Sequence, residues 1–114
     1  IVSWHGASGA TAFTDLGGLD YNLRDQIGQC LRDAGFTVQL ATEELNGNDP
    51  KNICNRSSRG MGVQLEISTT QRAAFFANGD MTRANRKNTT AAFTAYVNAV
   101  KLGISKTLVA AGTG

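Results

Sequence analysis

The segment Val63-Gln64-Leu65-Glu66-Ile67, bounded by Ser68 and Thr69, alternates apolar and polar side chains with the period of two that an extended strand imposes. Val63, Leu65 and Ile67 therefore share one face, suited to a core, while Gln64 and Glu66 share the other. Arg59-Gly60-Met61-Gly62 breaks regular structure before this strand, and residues 70–77 read as a short helix after it. Further upstream, Phe36-Thr37-Val38-Gln39-Leu40 alternates in the same way. Leu19, Leu23, Ile27, Leu31 and Ala34 recur at three and four residues, which predicts an amphipathic helix ended by Gly35.

Between these elements lies Asn46-Gly47-Asn48-Asp49-Pro50, a turn followed by a short helix through Ile53 and Cys54, with Asp49 as its cap. The chain opens on an apolar strand, Ile1-Val2-Ser3-Trp4-His5, broken by the small residues from Gly6 to Ala10. Its last clear helix covers residues 88–102, with Phe93, Tyr96, Val97, Val100 and Ile104 as the apolar stripe, and residues 105–114 read as a flexible tail. Strands alternating with helices predict an α/β fold with a mostly parallel sheet and crossover helices, one domain over residues 1–114. Ligands in such sheets gather at the C-terminal ends of strands, where both His5 and Glu66 fall.

A composition of 41% hydrophobic and 18% charged residues is that of a globular chain. No apolar run approaches the roughly 20 residues of a membrane-spanning helix. A net charge of +2 suits an acidic partner but is too small, and too poor in aromatic–basic patterning, to indicate nucleic-acid binding. The apolar start without methionine or leader is that of a piece trimmed from a longer chain. Cys30 and Cys54 lack metal-site or redox-motif spacing, which leaves a disulfide, and with it an oxidising, secreted setting, or two buried thiols.

His5, the single histidine, follows a strand and precedes a glycine, which suits a metal ligand as well as an ordinary loop histidine. Glu66 is a carboxylate within an apolar strand, placed either as a base facing a cleft or on a face that meets solvent. Arg56, Arg59 and Arg72 flank that strand and have the planar fork that grips carboxylates, whereas Arg83, Arg86 and Lys87 read as a solvated basic face. Gly6-Ala7-Ser8-Gly9 falls short of a nucleophile elbow because Ala10 stands where the last glycine belongs.

Ser3-Trp4-His5-Gly6, the helix from Leu19 to Gly35, Asn55-Arg56, Gly62-Val63-Gln64-Leu65-Glu66-Ile67-Ser68 and Gln71-Arg72 together resemble the poly-γ-glutamate hydrolases of phages and bacteria, over Val2 to Tyr96. That resemblance implies a zinc carboxypeptidase-like fold and a zinc-dependent amide hydrolase acting on an acidic peptide polymer. It implies His5 as a zinc ligand, Glu66 as the base that activates the zinc-bound water, and Arg72, Arg56 and Asn55 as contacts to substrate carboxylates. The remaining ligands would come from an N-terminal segment absent from this sequence, of which residues 1–114 would be the C-terminal continuation. A non-catalytic module that binds acidic polymers is the alternative.

Overall fold

The computed structural model describes the backbone of residues 2–41 and 62–113 and the side chains of residues 2–41 and 62–108. Four strands, β1 (Val2–Ala7), β2 (Thr14–Gly17), β3 (Val38–Leu40) and β4 (Val63–Ser68), form one sheet in the order β1-β4-β2-β3. Helices α1 (Tyr21–Asp33), α2 (Thr69–Ala73) and α3 (Ala91–Thr113) complete it, with single 3-10 turns at Ala77–Gly79 and Arg83–Asn85. Among the described residues no helix is long and apolar enough to cross a membrane.

The sheet is mixed rather than mostly parallel. β4 pairs in parallel with β1 but antiparallel with β2, and β2 pairs in parallel with β3. The cause is β2, a strand that its sequence, Thr14-Asp15-Leu16-Gly17, does not announce. Only six residues separate it from β1. A link that short can turn the chain back but cannot carry the crossover a parallel return needs. The passage from β2 to β3 does hold a helix, α1, and that pair is parallel.

α1 starts at Asp20, whose Oδ1 accepts from the Leu23 amide at 3.2 Å, and it ends at Gly35, which takes a φ of +94°. Its inward stripe of Leu23, Ile27, Cys30 and Leu31 meets Leu16, Val63, Leu65 and Ile67 on one face of the sheet. Tyr96, Ala99 and Val100 of α3 close the same core. Fully burying each leucine, isoleucine or valine of this cluster contributes about 1.5–3 kcal/mol.

The disulfide expectation finds no support at Cys30. Its thiol is free and buried on the core face of α1, where it packs as a small apolar side chain. Cys54 lies outside the described residues, as do the helix expected after Pro50 and Asn55, Arg56 and Arg59. The cysteines accordingly lend no support to a secreted setting. α3 also takes in residues 105–113, read from the sequence as a tail, and Thr107 there is buried with its hydroxyl donating to the Gly103 carbonyl at 2.9 Å.

Tyr96 and Thr14 are buried together, their hydroxyls 2.6 Å apart. Burial pushes the Tyr96 phenol up from 10.0 to about 12, against a smaller opposing effect of the Thr14 hydrogen bond. A raised phenol favours the neutral ring in the fold, so this contribution is complete below about pH 10 and is lost as pH rises through about 12, at about 1.4 kcal/mol per pH unit. Tyr96→Phe is expected to be less stable at neutral pH by about 1 kcal/mol, for the lost bond, and to lack this alkaline decline. Urea unfolding of both proteins between about pH 9 and 12 measures it, and equal slopes would contradict it.

Candidate active site

Three polar residues come into register on the sheet face opposite the core. His5 on β1 pairs with Glu66 on β4, and Glu66 pairs on its other side with Asp15 on β2. Directly paired residues project from the same face, with Cα atoms about 4.5–5.5 Å apart. The row is thus imidazole, carboxylate, carboxylate across three neighbouring strands.

Its members differ in surroundings. Glu66 is half-buried, and its Oε1 accepts from Gln64 Nε2 at 2.8 Å. Gln64 itself is only 5% exposed, so this side of β4 is not simply an open, solvated face. The bond fixes one carboxylate oxygen of Glu66 and leaves the other for a ligand or water. His5 is exposed, on a strand whose only sheet partner among the described residues is β4. Asp15 Oδ1 is buried and has no hydrogen-bond partner among the described residues. Sequence reading missed Asp15 because it missed β2; a carboxylate five residues ahead of a helix cap carries no signal until the strand register places it beside Glu66.

Arg72 is not part of this row. Its Nε donates to the Ile67 carbonyl at 3.0 Å, and its Nη2 donates to the Ala7 carbonyl at 3.3 Å and to Thr69 Oγ1 at 3.0 Å. The guanidinium lies over Gly6, where a Cβ would come within 2.9 Å of it. Side chains alternate along β1, so it sits on the opposite face from His5. Arg72 clamps the ends of β1 and β4, together with Thr69 and Thr70, which donate to the carbonyls of Ala7 and Gly9 at 3.2 and 3.0 Å. Ser68 completes the corner by capping α2 and accepting from the Phe13 amide at 3.0 Å. Arg72→Ala is expected to lower stability by about 2 kcal/mol through the lost donors, seen as a lower urea midpoint. Unchanged stability with weakened substrate binding would contradict the clamp.

A catalytic zinc takes about three protein ligands and keeps one position open. Among the described residues no group of three His, Cys, Asp or Glu side chains could hold a metal ion. His5 can contribute one ligand, but these residues alone do not complete a zinc site.

The chain is similar to UPF0714 protein YmaC of Bacillus subtilis (strain 168), with 39% identity over 104 residues that cover 89% of this chain and 43% of YmaC. A solved bacteriophage poly-gamma-glutamate hydrolase superposes with a TM-score of 0.89 at 42% identity, covering 92% of this chain and 51% of that one. The zinc-free apo form of YndL superposes with a TM-score of 0.82 at 25% identity, covering 91% and 52%. The matches cover between 31% and 52% of the length of these and the other similar relatives. Residues 1–99 match the family model described as poly-gamma-glutamate hydrolase, and the chain belongs to that family.

Proposed function

We propose that this chain supplies the Glu66 wall of a zinc-dependent centre that hydrolyses γ-glutamyl amide bonds of poly-γ-glutamate or a related acidic peptide. The observation that most supports this reading is the register of His5 with Glu66, with the Glu66 carboxylate held by Gln64. His5 is proposed as one zinc ligand, the rest coming from outside the described residues. Bound zinc would supply Lewis-acid polarisation and a more acidic water.

The chain's own part is proton handling and orientation. Glu66 takes a proton from the attacking water through the oxygen that Gln64 leaves free, while the water oxygen bonds to the amide carbon. The C–N bond then breaks, and Glu66 returns the proton to the departing amine. Half-burial limits competing solvent around this carboxylate, and the Gln64 bond sets its rotamer before substrate arrives.

In the whole protein, γ-linked polyglutamate is expected to be shortened and α-linked polyglutamate spared. His5→Ala is expected to lose bound zinc, measured by elemental analysis, together with turnover, because one ligand of about three is gone. Zinc and turnover retained by His5→Ala would overturn its role as ligand. Polymer bound but not cut by the zinc-loaded wild type would favour the non-catalytic module.

A further inference from the structure

Between α2 and α3 the chain makes an excursion whose neck is closed by a bridge between Phe76 and Thr89. The Ala77 amide donates to the Asn88 carbonyl at 2.7 Å, and the Thr90 amide donates to the Phe75 carbonyl at 2.9 Å. Inside the loop, Asn85 Nδ2 donates to the carbonyls of Ala77 and Asp80 at 3.0 and 2.9 Å, and Asn88 Nδ2 donates to Asn85 Oδ1 at 2.7 Å. Asp80, the loop's one carboxylate, accepts from the Thr82 amide at 2.9 Å, a bond that holds it below the usual carboxylate range. The acid is thereby committed to shaping the turn.

The groups this loop presents outward are Arg83, Arg86 and Lys87, all exposed, which with Ala84 line a depression of about 470 Å³. None of the three cations has an ion-pair partner among the described residues. One self-bonded loop thus holds the three cations around a single depression. Because the backbone is already tied, docking a ligand costs the ordering of the three side chains but little ordering of the loop itself.

We propose that this loop is a second binding site, distinct from the His5–Glu66 row, for an extended polycarboxylate chain; the proposal rests on reading the protein as a hydrolase of such polymers. One exposed ion contact is weak, so a single small carboxylate gains little here. A polymer with a carboxylate on every unit engages all three cations at once, and segments held elsewhere on the protein raise its effective concentration at the loop. The loop would retain long substrate between cuts while leaving short fragments unaffected.

The test compares the whole protein with a triple Arg83→Ala, Arg86→Ala, Lys87→Ala variant, each in a Glu66→Gln background to suppress digestion. Retention on immobilised long poly-γ-glutamate is expected to weaken about 10-fold at low salt and far less at about 0.5 M salt, where exposed charges are screened. Lysine at both arginine positions, with Lys87 kept, is expected to restore most of the binding. In the active background, turnover of a short γ-glutamyl oligomer is expected to be unchanged. Wild-type retention by the triple variant overturns the proposal, and so does a larger loss on duplex DNA than on the polymer. If the wild type cleaves no γ-linked substrate of any length, the hydrolase reading fails while polymer retention still decides the loop.

Discussion

Gly103→Val is expected to destabilise the protein by about 3 kcal/mol, the upper range for overpacking a closed interface. A Cβ at Gly103 would lie 2.6 Å from Ile27 Cα and 2.8 Å from Ile27 N. The obstacle is the backbone of α1, not a side chain that can swing away. Ile27 is 0% exposed and sits among Leu31, Leu16 and Val100 in the core, so α1 cannot shift without opening that packing. Gly103→Ala should cost less, since the clash is partly offset by about 1 kcal/mol of helix propensity gained over glycine. Urea midpoints of the two variants measure both effects. A valine variant as stable as wild type would mean that α1 and α3 do not cross this closely.

The same crossing shows which features the sequence displays and which it hides. Leu23, Ile27 and Leu31 of α1 are large and evenly spaced, so their burial can be read from the chain. On α3 the eye goes to Phe93, Val97 and Ile104, yet Ala99, Gly103 and Thr107 share the buried side with Tyr96 and Val100. Small residues define a contact by what they permit, and hydrophobic periodicity does not register that. β4 was legible because its alternation is clean and its inward residues are β-branched or leucine. β2 was not, because Asp15 and Gly17 are weak strand formers and four residues are too few to show a pattern; the segment becomes a strand by lying between β4 and β3. The mixed sheet and the place of Asp15 both follow from that one short element.

The candidate site divides in a similar way. His5 and Glu66 stand out as an isolated imidazole and a carboxylate in an apolar strand, and the register makes them neighbours. Arg72 also stands out, but charge in a sequence does not reveal its partner. Here the partners are main-chain carbonyls at the ends of two strands.

Glu66→Gln in the whole, zinc-loaded protein tests the account most directly. Glutamine keeps the size of the side chain and an oxygen that can accept from Gln64 Nε2, so the fold and the row are expected to persist. What it removes is the proton acceptor. General-base catalysis contributes about 10²–10⁴-fold, so kcat on γ-linked polyglutamate is expected to fall by about that factor, with KM little changed and zinc content equal to wild type. A Glu66→Gln protein that turns over within about threefold of wild type would contradict the assignment of Glu66 as the base.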